Sequence, residues 1–136
     1  MEDLITPYID DEMLSDKLSI VTDEDICNIE KELSIEISGE IRSFLKVASC
    51  HTYPNMLLQS ASKNAPGFLN IVKQTKRAWG VGVPKDSIVI CQDNGNYHCF
   101  TGDLIVALWE HELEDFGEEW DDINDWMENE FIPRIS

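Results

Sequence analysis

Ser87-Ile88-Val89-Ile90-Cys91-Gln92-Asp93-Asn94-Gly95-Asn96-Tyr97-His98-Cys99-Phe100 is the stretch that decides the fold. A β-branched run ends at an Asn-Gly pair and an aromatic run resumes after it, and this order is the strongest short-range signal for a β-hairpin. Downstream, Thr101-Gly102-Asp103 breaks the chain, and the residues over 104–109 then read as a further strand. The centre of the chain is therefore a β-meander.

Upstream, the period changes from two to about 3.6. Thr22-Asp23-Glu24-Asp25 has the form of a capping box, and Ile26, Ile29 and Leu33 recur at helical spacing, which predicts a helix over 23–33. Ile41, Phe44, Leu45 and Ala48 predict a second helix, with Ser38 as its cap. A short strand over 56–59 and a turn at Asn64-Ala65-Pro66-Gly67 follow. Phe68, Ile71, Val72 and Thr75 then mark a third helix, closed by Gly80, that carries Lys73, Lys76 and Arg77. At the far end Asp121 or Asp122 caps a helix with Ile123, Trp126, Met127 and Phe131 on one face, which is expected to stop before Pro133. Residues 1–20 have partly helical spacing, broken at Pro7.

Helices followed by strands without βαβ alternation give an α+β class. The expected architecture is a single mixed or antiparallel sheet, with the hairpin around Asn94-Gly95, packed with N-terminal helices and a C-terminal helix. It forms one domain over 1–136, with an N-terminal extension over 1–21 and a core over about 22–132.

The chain has 136 residues, 43% of them apolar, which is enough for one buried core. Its formal charge of -17 excludes sequence-independent phosphate binding as a function, so neither nucleic acid nor an anionic membrane is an expected partner. No apolar run approaches the roughly 18 residues of a spanning helix, and the acidic start Met1-Glu2-Asp3-Leu4 is unlike a signal peptide. A cytoplasmic location is expected. Cys27, Cys50, Cys91 and Cys99 show no Cys-x-x-Cys spacing, so reduced thiols are expected too.

The charge is segregated. Residues 1–40 carry a net of -11, residues 41–85 contain no acid and seven bases, and residues 86–136 carry a net of -13. Eleven acids lie between Glu110 and Glu130. Such a block either solvates an exposed face or steers a basic macromolecule, and its self-repulsion is a cost that a partner offsets. The residues expected to dock that partner are Glu112, Asp115, Glu118, Glu119, Asp121, Asp122 and Asp125, with Trp120 as an anchor among them. Trp126, on the apolar stripe, reads as core. The basic block, with Arg42, Lys46, Lys73, Lys76 and Arg77, is expected either to neutralise acids within the fold or to act across a homodimer; homo-oligomerisation is left open.

Signals for catalysis are absent. Gly80-Val81-Gly82 leads toward a strand and lacks the third glycine of a phosphate loop. His98 and Cys99 are adjacent in a strand and point to opposite faces, so they do not share a metal. Cysteines beside histidines, such as Cys50-His51, read as structural. No catalytic residue, metal ligand or cofactor is assigned.

One resemblance adds to this reading. The stretch from Val83-Pro84-Lys85-Asp86 through Gly95-Asn96-Tyr97 to Phe100, followed by Val106-Ala107-Leu108-Trp109-Glu110-His111, resembles the SUKH superfamily. The helix pair Ile29-Glu30-Lys31-Glu32-Leu33 and Ile37-Ser38-Gly39-Glu40-Ile41-Arg42-Ser43-Phe44-Leu45 is similar to that family's as well. Ser38 stands where the family usually has proline, and Ala48-Ser49-Cys50 replaces its usual Asn-Gly. The resemblance implies a single α+β domain without enzymatic activity. It also implies an immunity protein that binds and neutralises a cognate toxin, often a nuclease, of contact-dependent growth inhibition or related bacterial competition. With the acidic block, this makes a basic nuclease the expected partner. Fungal members of the superfamily instead serve cell-wall signalling, which leaves an intracellular interaction or scaffold module as the alternative; a small acidic enzyme is the third reading.

Overall fold

Thr22 starts helix α1 (Asp23–Leu33) with the expected capping box. Its hydroxyl accepts from the Asp25 N–H at 3.1 Å, and the Asp25 carboxylate accepts from the Thr22 N–H at 2.9 Å. The computed structural model describes residues 18–53 and 55–135, so the expectation of a broken helix over 1–20 lies mostly outside the described residues.

Helix α2 (Glu40–Ala48) is capped by Gly39, not by Ser38 as expected. The link before it is held by side chains: Glu30 accepts from the Ile37 N–H at 2.7 Å, and Arg42 donates to the Ile37 carbonyl at 3.0 Å. The chain then reverses through Gly39 at φ 68°, where a side chain would be strained. Strand β1 is short (Leu57–Leu58), and helix α3 (Ile71–Gly80) is capped by Asn70, which accepts from the Lys73 N–H at 3.0 Å. Phe68, expected on the helix, lies before it and is 60% exposed.

The remaining strands are β2 (Ile88–Asp93), β3 (Asn96–Phe100), β4 (Val106–Glu110) and β5 (Asp115–Trp120). Together with β1 they form one five-stranded sheet in the order β1-β2-β3-β4-β5, and every neighbouring pair is antiparallel. Asn94 (φ 52°) and Gly95 (φ 89°) make the predicted turn. β4 starts two residues later than expected, because Leu104 at φ 66° belongs to a turn closed by bonds between Thr101 and both Leu104 and Ile105.

The C-terminal helix also departs from its expected end. It opens at Asp122 and runs as α4 (Ile123–Trp126), a π-helical turn (Met127–Phe131) and α5 (Ile132–Ile135), passing through Pro133. Proline has no N–H for the carbonyl four residues back, and the wide turn before it, where the Ile132 N–H bonds Met127, accommodates that loss.

Both faces of the sheet are covered. The main core joins Ile26, Phe44, Leu45, Ile88, Ile90, Val106, Trp126 and Phe131, and a smaller cluster of Ala78, Val83, Val89, Cys99 and Trp109 lies apart from it. Trp126 is fully buried as expected; it stacks on Phe131 at 5.2 Å and meets Phe44 edge-on at 5.9 Å. Among the described residues no helix is long and apolar enough to cross a membrane.

Candidate functional site

The acidic residues gather on the β4–β5 hairpin and the corner after it. The hairpin turn is held by Leu113 and Glu114, whose N–H groups both donate to the Glu110 carbonyl, with Glu114 at φ 52°. His111 ties this turn to the neighbouring one: its backbone N–H donates to Asn96 Oδ1 at 3.0 Å, and its ring Nδ1 lies 2.7 Å from the same oxygen. A carbonyl oxygen only accepts, so Nδ1 carries the proton. The tips of the two hairpins are thereby fixed together.

β5 was not expected, since acid-rich residues are depleted in strands and read as loop. Its pairing contains a bulge. Trp109 faces Phe116 and Ala107 faces Glu119, so β5 has one more residue than β4 in that interval. Phe116 and Trp120, four apart, would share a face in a regular strand. The bulge shifts the phase, so that Phe116 packs with Trp109 in the small cluster while Trp120 enters the main core.

Trp120 is therefore not the exposed anchor that its acidic neighbours suggested. It is 6% exposed, opposite Val106 and 5.6 Å from the His98 ring. Of the expected docking residues, Glu112, Asp115, Glu118, Glu119, Asp121 and Asp122 are exposed and Asp125 is half-buried. The structure brings them onto one hairpin and one helix start.

They divide by what they bond. Asp122 caps α4 by accepting from the Asp125 N–H at 2.7 Å, while the Asp125 carboxylate accepts from the Asp121 N–H at 2.8 Å and from Asn129 at 2.6 Å. Asp115 accepts from the adjacent Phe116 N–H at 2.8 Å. Glu130 pairs with Arg134 at 2.7 Å, and burial raises its pKa against the pull of that cation. Among the described residues no cation comes within ion-pair distance of Glu112, Glu118, Glu119 or Asp121, nor of Glu114 and Glu128, which are exposed as well.

In the N-terminal acidic block three carboxylates are paired. Asp23 binds Arg42 at 3.2 Å and Lys46 at 3.1 Å, Glu30 binds Arg42 at 3.4 Å, and Glu32 binds Lys76 at 3.3 Å. The hydrogen bonds from Lys46 and Arg42 lower the Asp23 pKa. Part of the basic block thus neutralises N-terminal acids within the fold.

Burial pushes the thiols of Cys91, Cys99 and Cys50 up, away from the thiolate. His98 is fully buried, and its Nδ1 accepts from Trp126 Nε1–H at 3.0 Å. That bond places the proton on Nε2, which has no hydrogen-bond partner and lies 3.9 Å from Asp93 Oδ2. A recess of about 380 Å³ between α1 and α3 is lined by Ile29, Ile71, Lys73 and Lys76, and neither His98 nor the buried thiols reach it. Among the described residues no group of three or more His, Cys, Asp or Glu is placed to hold a metal ion.

No curated protein matches the chain. Its structure is similar to a crystal structure of a protein from Pseudomonas syringae pv. tomato, with a TM-score of 0.80 and 24% identity over 96% of this chain and 97% of that one. A likeness at that identity carries the fold. The chain matches the family model SUKH_5, described as SMI1-KNR4 cell-wall, over residues 1–132, and it belongs to that family.

Proposed function

We propose that this protein is an immunity protein that acts in the cytoplasm, without enzymatic activity, by docking a basic toxin domain on the acidic β4–β5 hairpin and the corner at Asp121-Asp122. The observation that carries this reading is the contrast between the two acidic blocks. Asp23, Glu30 and Glu32 are neutralised by Arg42, Lys46 and Lys76, whereas among the described residues no cation reaches Glu112, Glu118, Glu119 or Asp121, and Arg134 serves only Asp93 and Glu130. Exposed like charges without counter-charges repel, and an oppositely charged partner relieves that repulsion.

A nuclease fits as the partner class. It must present lysine and arginine to hold phosphates, and a surface of fixed carboxylates competes for the same cations. Steering by such a surface raises the association rate, while screening makes the rate fall with salt. Asp115, Asp122 and Asp125 contribute to the field even where they also serve the backbone.

The test is inhibition. Titrating the chain into the activity of the basic protein recovered with it from its own cell is expected to abolish that activity at a one-to-one ratio, with weaker inhibition at high salt. Full toxin activity in the presence of excess chain overturns the reading and moves the weight to the scaffold module, which the family's cell-wall description favours.

A further inference from the structure

The open edge of β5 offers more than charge. β5 ends the sheet, and its six residues contrast with the two-residue β1 at the other edge. Gly117, Glu118 and Glu119 are exposed, and no described strand lies beyond them. A terminal strand presents a row of backbone N–H and C=O groups that any extended chain can bond. The bulge adds one residue left out of the pairing with β4.

We infer that this edge takes up an extended, lysine- or arginine-bearing segment of the partner as an additional strand. The inference rests on the docking reading above and specifies how that docking occurs. Charge decides which strands are admitted. A second copy of this chain would set Asp115, Glu118 and Glu119 against the same carboxylates, and like charges directly opposite one another destabilise a strand pair. Glu118 and Glu119 point to opposite faces, so a cationic strand reverses the sign of the contacts on whichever face carries its cations. The carboxylates therefore close the edge to copies of the chain and open it to a basic segment. Leu113, 68% exposed at the hairpin tip, gives the incoming strand an apolar contact at one end.

The full chain is labelled with ¹⁵N and mixed at low salt with a short blocked peptide alternating lysine with valine. The control is the same peptide N-methylated at every backbone amide, which keeps the charge and removes the donors. The parent peptide is expected to slow amide exchange over 117–119, beyond the Phe116 N–H that Asp115 already accepts, and to bind about tenfold more tightly than the control. The double variant E118Q/E119Q is expected to weaken the parent peptide about fivefold. Equal affinity of the two peptides, or protection that leaves 117–119 untouched, overturns strand addition and leaves docking by charge standing. Failure of both peptides to bind at low salt overturns strand addition and the acidic docking surface together.

Discussion

His98 sits between two tryptophans, 5.6 Å from Trp120 and 5.5 Å from Trp126, with one ring nitrogen bonded and the other unpartnered. Burial lowers its pKa to about 4 from the ordinary 6.5, with Asp93 opposing that shift. Across that window the unfolded chain binds a proton that the folded chain refuses, so stability falls as pH drops from 6.5 toward 4, by up to about 3 kcal/mol. Urea unfolding at pH 7 and pH 5 measures the loss. In His98→Leu this part of the pH dependence is expected to vanish, while stability at pH 7 falls by about 1–3 kcal/mol because Trp126 Nε1–H loses its acceptor. An unchanged pH dependence in the variant would contradict the assignment. The buried state of Trp126 was legible from its place on an apolar stripe, and that of Trp120 was not. Composition around Trp120 is acidic on both sides, and only the bulge in β5 turns its side chain inward.

At the scale of elements, the same corner separates residues that build the fold from residues free to bind. Asp122→Ala is expected to cost about 1 kcal/mol, because the α4 N-terminus loses its cap. Asp121→Asn, by contrast, removes a charge that holds nothing through its side chain. The triple variant E118Q/E119Q/D121N is expected to unfold within about 0.5 kcal/mol per site of the wild type, or later, since exposed like charges are being removed. Its association with the partner at low salt is expected to be at least about tenfold slower. Thermal denaturation and stopped-flow association read the two effects separately. The β2–β3 hairpin and α1 were legible because each has a local chemical cause, the Asn-Gly turn and the Thr22–Asp25 box. β5 and the Gly39 cap were hidden, because pairing with β4 and the side-chain clamp on Ile37 are tertiary effects.

The whole molecule carries a charge of -17, and salt acts on it in two opposite ways. Raising ionic strength screens self-repulsion and is expected to raise the melting temperature of the free chain. It is expected to slow association with the partner over the same range. A melting temperature that falls with salt would mean that the internal pairs around Arg42 and Lys76 outweigh the repulsion of the acidic hairpin. The α+β class and the segregation of charge were legible in the order of residues. Which carboxylates are paired was not, because the pairing of Asp23, Glu30 and Glu32 with distant bases depends on how α1, α2 and α3 pack. Isolating the tagged chain from its own cell at low salt, beside the variant E118Q/E119Q/D121N, shows whether the acidic hairpin holds a basic partner. One basic protein is expected to be held by the wild type in stoichiometric amount, released by salt and lost from the variant. The same proteins held by both, or only several at substoichiometric amounts, would contradict that expectation.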